Sequence, residues 1–293
     1  LWKNVEAKRE LHSFTCNATH MPVFCNASLP NAVRIAELLS KLSVDQKIGQ
    51  VGSNGVPALE APISIPAFQW WGEALHGVCK SPSVNFRPPT STATSFPEII
   101  GVGSTFDKDL WARMGSAIGL EARIMMNYGN AGGTFWAPNI NLVKDPRWGR
   151  LQETPGEDPT VTSEYAYRFI TGVQGNLSDR YLQASSCAKH FAGYSEENWH
   201  GDDRYHFNAV INKQDWTDYF SLPFESAVRR ANVSGLMCSY NAISISDAPD
   251  LASNTPTCVS NWLLKDLARG EWGFDGYING DCGAAQDVYA THN

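Results

Sequence analysis

The stretch Gly276-Tyr-Ile-Asn-Gly-Asp-Cys-Gly-Ala284 predicts a buried strand that delivers one carboxylate, Asp281, to its carboxyl end. Enzymes built on parallel barrels keep their catalytic groups at the carboxyl ends of the strands. Asp281 is therefore a candidate nucleophile or electrostatic carboxylate. The alternative is a structural role, in which Asp281 caps a helix that starts at Gly283, because aspartate is a favoured helix N-cap.

The chain before this stretch alternates between predicted helices and predicted strands. Helices are predicted over residues 31–42, 106–127, 159–174, 214–231 and 259–268, and strands around residues 133–138, 184–191, 235–240 and 276–279. Two further apolar segments cover residues 63–71 and 96–103. This alternation indicates an α/β fold, and polar residues after the strands favour a (β/α)8 TIM-type barrel over a doubly wound sheet.

The predicted barrel is incomplete at the C-terminal end of this chain. About six of the eight βα units of such a barrel can be counted. Residues 1–30 are predicted to form an irregular N-terminal extension, and residues 31–293 the catalytic barrel domain. The chain begins with Leu1 rather than Met, so we expect a processed or trimmed form.

Composition excludes several classes of partner and cofactor. A formal net charge of −7 argues against nucleic acid and anionic membranes as partners. No apolar run has the length of a membrane span. The seven cysteines form no Cys-x-x-Cys pair, and no strand is followed by a dinucleotide or phosphate-binding glycine pattern. We therefore predict no metal and no cofactor.

Four glycosylation sequons indicate a secreted, extracellular or other secretory-pathway protein. They begin at Asn17, Asn26, Asn176 and Asn232. Cys16 and Cys25 bracket a short loop, which makes a local disulfide plausible. The odd number of cysteines leaves at least one without a partner in the chain.

Polar and aromatic residues near the predicted strand ends are candidate binding groups. Lys189 and His190 adjoin on one strand, so a bulge or the strand's end is needed to bring both side chains inward. Trp71 and Glu73 suit a sugar-binding wall, although a core tryptophan beside a surface glutamate is the simpler interpretation. Tyr240 could orient a nucleophile through its hydroxyl, or simply pack at a strand's rim.

A charged loop and a buried cysteine complete the candidates. Arg147 and Arg150 could each bind a carboxylate or a vicinal diol, and at least one is expected to hold the loop by a salt bridge instead. Cys238 is predicted to be buried and structural.

Taken together, these motifs resemble the N-terminal barrel of glycoside hydrolase family 3. The resemblance rests on Trp71-Gly-Glu-Ala-Leu-His-Gly77, residues 141–150 with 153–159, Lys189-His-Phe191, Met237-Cys-Ser-Tyr-Asn241 and Gly280-Asp-Cys-Gly283. They occur in the family's order and extend from about residue 30 to the end of the chain.

The resemblance implies a retaining mechanism in which Asp281 forms a glycosyl-enzyme intermediate. It also implies a set of residues that bind the sugar, namely Trp71, Glu73, Arg150, Lys189, His190, Met237 and Tyr240. In the family's two-domain members, the acid/base glutamate lies in the second domain. We therefore expect a C-terminal remainder or a second chain to supply that glutamate, and Cys282 to pair with a cysteine outside this chain.

Glu73 and Cys282 resemble the family's β-xylosidase branch, whereas its β-glucosidases commonly have Asp in place of Glu73. A longer carboxylate can occupy the space that a hexose hydroxymethyl group needs, although one methylene gives only modest discrimination. The expected substrate is a xylo-oligosaccharide, cleaved to release β-linked xylose from its non-reducing end. A β-glucosidase, an α-L-arabinofuranosidase and a non-catalytic sugar-binding fragment remain alternatives. The loop containing His200, Asp202 and His206 does not match the family's N-acetylglucosaminidase motif, so these are expected to be loop or rim residues.

Overall fold

The computed structural model describes residue 16 and residues 21–52, 55–61, 63–176, 178–179 and 181–292. Contacts divide the chain into two compact units, Leu1–Trp70 and Trp71–Asn293. This division lies after Trp70, whereas the sequence placed a domain boundary after residue 30. The boundary at residue 30 stays a prediction.

The first unit is built from short helices and one two-stranded ladder. Its elements are the 3₁₀ turn Val23–Cys25, α1 (Asn31–Lys41), α2 (Val44–Gly49), β1 (Gly55–Val56) and β2 (Phe68–Gln69). The helix predicted over residues 31–42 is confirmed. Arg34 Nε donates to the carbonyl of Phe24 at 2.9 Å, which ties α1 to the 3₁₀ turn. This contact explains why α1 groups with the residues before it.

The disulfide between Cys16 and Cys25 is present, as the loop length suggested. A second disulfide, which the sequence did not predict, joins Cys238 to Cys258. Cys238 is therefore structural, as expected, but through a covalent bond rather than through burial alone.

The second unit contains the predicted parallel sheet. It is formed by β3 (Thr134–Phe135), β4 (Ser185–Phe191), β8 (Gly235–Cys238) and β11 (Tyr277–Gly280), which neighbour one another in chain order. Among the described residues, this sheet has four strands, fewer than the roughly six units counted from the sequence. Residues 68–69 belong to the antiparallel β1–β2 pair, and α3 (Ile99–Gly103) occupies most of the second apolar segment. A short apolar run does not distinguish a buried strand from a short buried helix.

The helices of the second unit connect and cover this sheet. Two of them have bounds close to those predicted from the sequence. They are α4 (Lys108–Asn127), which precedes β3, and α5 (Pro159–Gln174), which precedes β4. Asp158 caps α5 by accepting from the Val161 amide at 2.7 Å, and Pro159 occupies the first turn. The C-terminal helix α8 (Ala284–Ala290) follows β11.

Two predicted helices depart from α geometry. The segment predicted as one helix over 214–231 consists of α6 (Lys213–Asp215), the π-helical segment Trp216–Phe220 and α7 (Leu222–Arg229). Pro223 near the start of α7 has no amide hydrogen to donate, which fits a change of helix type there. The helix predicted over 259–268 lies at Trp262–Glu271 and is π-helical, after a 3₁₀ turn at Thr257–Val259.

The described part of the second unit also contains two smaller ladders. β7 (Asn208–Ile211) pairs with β9 (Ala242–Ile245), which pairs in turn with β10 (Thr255–Pro256). β5 (Asn198–Trp199) and β6 (Asp202–Asp203) form a hairpin whose turn exposes His200. The loop position expected for His200, Asp202 and His206 is therefore correct.

The sequons occupy different environments. Asn176 and Asn232 are exposed, and Asn26 is partly buried, with its side-chain oxygen accepting from Ser28. Asn17 lies outside the described residues. Within the described residues, no helix combines the length and the hydropathy that crossing a bilayer requires.

Close packing of α4 on α5 gives a test of the fold. A Cβ added at Gly115 of α4 would lie 2.5 Å from the Phe169 carbonyl oxygen of α5. The substitution Gly115→Ala should therefore lower the free energy of unfolding by about 1–3 kcal/mol, as overpacking does. Urea unfolding measures this change.

Gly101→Ala is the matched control, because a Cβ at Gly101 of α3 meets nothing within 4 Å. It should be neutral or should stabilise by up to about 1 kcal/mol through helix propensity. Equal effects of the two substitutions would contradict the α4–α5 contact.

Candidate active site

Asp281 lies directly after β11, and the residue is 7% exposed. Its Oδ1 atom accepts hydrogen bonds from the Cys282 amide at 2.7 Å and from the Tyr240 hydroxyl at 3.1 Å. The register explains the second contact, because Gly280 lies opposite Cys238, two residues before Tyr240. The N-cap of α8 is Gly283, and no side chain caps that helix. The carboxylate of Asp281 is thus free of the structural role that the sequence left open.

Tyr240 is a stable donor to this carboxylate. Burial, followed by the negative charge of Asp281, raises the pKa of the Tyr240 hydroxyl above its usual value. Burial and Asp281 likewise raise the pKa of the Cys282 thiol to about 11. Both groups stay neutral at neutral pH, and the Cys282 thiol is unpaired among the described residues.

His190 faces the other oxygen of Asp281, with 3.4 Å between Nε2 and Oδ2. Pairing of β4 with β8 is irregular between Ala188 and Phe191, so the backbone departs from simple strand geometry at Lys189 and His190. This irregularity is one of the two arrangements that the sequence allowed, a bulge rather than the end of the strand. Burial, followed by the positive charges of Arg150, Lys189 and Arg204, lowers the pKa of His190 well below its usual value. The imidazole is therefore neutral at neutral pH.

Glu73 joins Trp71 to Lys189. The Trp71 indole donates from Nε1 to Glu73 Oε1 at 2.8 Å, and Lys189 Nζ lies 3.3 Å from Glu73 Oε2. The Trp71 ring stacks on Trp136 with 5.3 Å between ring centroids. Glu73 is thus a fixed carboxylate beside an aromatic surface, rather than a freely exposed side chain.

Arg150 is held by a bidentate ion pair with Glu153, with both nitrogen–oxygen distances at 2.7 Å. Asn139 donates to Glu153 as well, at 3.3 Å. Although burial acts to raise it, the hydrogen bonds and charge of Arg150 hold the pKa of Glu153 below its usual value. Arg147, by contrast, forms an exposed pair with Asp145, which is the structural role expected of at least one arginine.

Tyr194, which is buried, lies between these groups. Its ring lies 4.9 Å from the His190 ring and 5.7 Å from the Arg150 guanidinium. Its hydroxyl donates to Glu197, whose carboxylate also accepts from Trp148 Nε1. Trp148 and Glu197 in turn line a cavity of about 110 Å³ near the β5–β6 hairpin.

The structure therefore brings six of the seven predicted binding residues into one contiguous network with Asp281. The seventh, Met237, is fully buried in β8 opposite Asn279. Residues that the sequence did not assign to the site are Asn139, Asn141, Glu153 and Tyr194. Asn141 and Glu153 lie in the motifs quoted above, and Asn139 lies just before one of them. Only the contacts in the folded chain show which atoms these side chains bind. No set of three or more His, Cys, Asp or Glu side chains in the described part of the chain is arranged to hold a metal ion.

The sequence model of the glycosyl hydrolase family 3 N terminal domain matches residues 63–293. The chain belongs to glycoside hydrolase family 3. The parallel sheet with its helices is accordingly part of that family's TIM-like barrel, and it is incomplete in this chain.

Relatives in this family carry xylosidase names. "Beta-D-xylosidase 1" of Arabidopsis thaliana is 41% identical over 267 residues, which cover 91% of this chain and 33% of that protein. "Beta-xylosidase/alpha-L-arabinofuranosidase 1" of Medicago sativa subsp. varia is 41% identical over 270 residues, covering 91% of this chain and 34% of the relative. The chain thus spans about a third of the length of these curated relatives.

A solved structure shows the same fold. It is a GH3 exo-β-xylosidase in complex with a xylobiose aziridine activity-based probe, and it superposes with a TM-score of 0.83 at 35% identity. The alignment covers 92% of this chain and 34% of that protein.

Removing the charge of Glu153 tests the Arg150 clamp. Glu153→Gln should lower the free energy of unfolding by about 1–3 kcal/mol at neutral pH, because charged hydrogen bonds are lost in a partly buried position. A depressed pKa contributes stability above the unfolded carboxyl's pKa and loses it as pH falls through the folded value. The difference from wild type should therefore shrink on acidification, which urea unfolding at several pH values measures.

Glu225→Gln is the control, because Glu225 forms a more exposed ion pair with Arg229 on α7, with side chains 35% and 44% exposed. That substitution should cost at most about 1 kcal/mol. A Glu153→Gln effect no larger than the control's, or one that does not change with pH, would contradict the clamp.

Proposed function

We propose that this chain carries the nucleophile of a retaining, exo-acting β-xylosidase that releases xylose from the non-reducing end of xylo-oligosaccharides. The observation that carries the proposal is the buried Asp281 carboxylate, whose Oδ1 is anchored by Tyr240 and Cys282 while Oδ2 faces neutral His190. A carboxylate fixed through one oxygen presents the other for attack.

The proposed reaction has two steps. Asp281 Oδ2 attacks the anomeric carbon as the glycosidic C–O bond breaks, and an acid protonates the leaving oxygen. Water then cleaves the glycosyl–Asp281 ester and gives its proton to the same residue, now a base. The two carboxyl groups of retaining enzymes lie about 5 Å apart. We infer that the acid/base glutamate belongs to a C-terminal remainder or a second chain.

The side chains around Asp281 would recognise the hydroxyl groups of the sugar. Lys189, Arg150 and His190 would bind glycone hydroxyls, with Tyr240 orienting the nucleophile, while Trp71 would contact the sugar's apolar surface. Met237, which is fully buried, would support the base of the pocket from within β8. These contacts favour catalysis to the extent that they strengthen as the oxocarbenium-like transition state forms. The ion pairs of Arg150 with Glu153 and of Lys189 with Glu73 hold these two cations in place before substrate binds.

Glu73 supports a pentose over a hexose. Its carboxylate is held between Trp71 and Lys189, so it cannot easily swing away from a hydroxymethyl group. The xylosidase names of the relatives agree with this steric argument. One relative's name also includes α-L-arabinofuranosidase, so arabinofuranoside hydrolysis is the second candidate activity. The disulfides and the exposed sequons at Asn176 and Asn232 support a secreted glycoprotein.

The role of Asp281 is tested by Asp281→Ala in the active assembly of this chain with its remainder. Loss of the nucleophile should reduce kcat for an aryl β-xyloside by about 10⁴-fold or more, as removal of a nucleophile does elsewhere. Asp202→Asn is the control, because Asp202 lies in the exposed β5–β6 hairpin. Retention of wild-type turnover by Asp281→Ala would refute its role. An inactive wild-type assembly would instead favour a non-catalytic sugar-binding fragment.

Glycone preference is tested by Glu73→Asp. Shortening the carboxylate by one methylene should raise the ratio of glucoside to xyloside kcat/KM by about 10-fold or more, within the range that one methylene confers. Parallel kinetics with aryl β-glucosides and aryl β-xylosides measure the ratio. An unchanged ratio would sink the steric argument, and faster wild-type turnover of glucosides than xylosides would identify a β-glucosidase.

A further inference from the structure

Asn141 makes three hydrogen bonds to His190, and both residues are almost wholly buried. Asn141 Oδ1 accepts from the His190 backbone amide at 2.8 Å, and Asn141 Nδ2 donates to the His190 carbonyl at 2.8 Å. The third contact joins the same Oδ1 to the ring nitrogen Nδ1 at 3.0 Å.

The first two bonds fix which end of the Asn141 amide is oxygen. A backbone N–H can only donate and a backbone carbonyl can only accept, so the opposite orientation of the amide would break both bonds. Asn139 Oδ1 additionally accepts from the Asn141 backbone amide at 3.1 Å, which holds the residue in place. Oδ1 is therefore the atom that faces the imidazole.

An oxygen at this position determines the tautomer of His190. Oδ1 carries lone pairs only, so the facing Nδ1 must carry the ring proton to form the contact. In a neutral imidazole, Nε2 is then an unprotonated acceptor. The titratable and charged groups around the ring are Asp281, Lys189, Arg150, Arg204 and Tyr194. The three cations and burial favour the neutral ring.

Nε2 lies 3.4 Å from Asp281 Oδ2, so two acceptors face each other without a proton between them. A hydroxyl group placed beside them can donate to Nε2 and so relieve this pairing. We propose that Asn141 is a positioning residue that holds His190 as the Nδ1-protonated tautomer, which makes Nε2 an acceptor for a glycone hydroxyl and leaves Asp281 Oδ2 unprotonated and free to attack. That the donating hydroxyl belongs to a sugar rests on the proposed function. The tautomer of His190 does not rest on it.

The tautomer is tested directly by nitrogen-15 NMR of the protein labelled in its histidine rings, with His190→Gln to assign the signal. At neutral pH, His190 should show a protonated Nδ1 and an unprotonated Nε2. A proton on Nε2, in either the other neutral tautomer or the imidazolium, would overturn the proposal. The result does not depend on any substrate, so it stands apart from a failure of xyloside hydrolysis.

The catalytic consequence is tested by Asn141→Asp in the active assembly. A carboxylate keeps both acceptor contacts but favours the imidazolium, so the pKa of His190 should rise. Imidazolium Nε2–H would then bond to Asp281 Oδ2 and could no longer accept from the sugar. Because the neutral ring is the active form, kcat/KM should fall as pH drops through the raised pKa, by about 10-fold one pH unit below it.

Asn139→Asp is the matched control, since it adds a carboxylate two positions away whose neighbours are the Asn141 amide and Glu153. Asn139→Asp should lower kcat/KM at every pH. It should not add the fall in kcat/KM at low pH that a raised His190 pKa would cause. A folded Asn141→Asp protein with a profile parallel to wild type would reduce Asn141 to a structural role and overturn the proposal. If Asn141→Asp does not fold, the wild-type NMR measurement decides the tautomer.

Discussion

The arrangement of the site depends on a buried carboxylate that is stabilised without a cation. An ionised carboxylate in a buried position requires hydrogen bonds or an opposite charge. Asp281 receives two hydrogen bonds on Oδ1, from the Cys282 amide and the Tyr240 hydroxyl. The Cys282 amide is a local donor, one residue after Asp281, whereas the Tyr240 donor depends on the register of β11 against β8, which sets Asp281 beside the turn that carries Tyr240.

The three cations that act on His190 each have a carboxylate of their own. Lys189 pairs with Glu73, Arg150 with Glu153, and Arg204 with Glu197. Among the described residues, the contacts of Asp281 are with neutral groups, because His190 is held neutral by burial and by these same cations. A salt bridge to Asp281 would lower its nucleophilicity, so this separation of charges suits the attack on carbon that we propose for this carboxylate. The paired cations still have N–H groups to donate to sugar hydroxyls.

The sequence predicted the parallel α/β architecture, because strand-end polar residues and caps are local signals. Asp158 and Pro159 at the start of α5 are an example, and the bulge at Lys189 and His190 follows from the alternation of strand side chains. The sequence also singled out six of the residues that the structure brings together around Asp281, and their roles stay a prediction. The sequence predicted a higher number of barrel strands than this sheet contains. Short apolar segments such as residues 96–103 are too short for their periodicity to distinguish a strand from a helix. The Cys238–Cys258 disulfide and the contacts of Asn141 and Glu153 could not be predicted from the sequence. They depend on which side chains the folded chain brings together and how it orients them.

Covalent trapping tests the central claim, that Asp281 is the nucleophile, most directly. The active assembly would be incubated with 2-deoxy-2-fluoro-β-D-xylosyl fluoride and then digested for peptide mapping by mass spectrometry. We expect one fluoroxylosyl group on the peptide that contains Asp281, with fragment ions that place it on that residue. A label on any other carboxylate of an active, trapped enzyme would contradict the account.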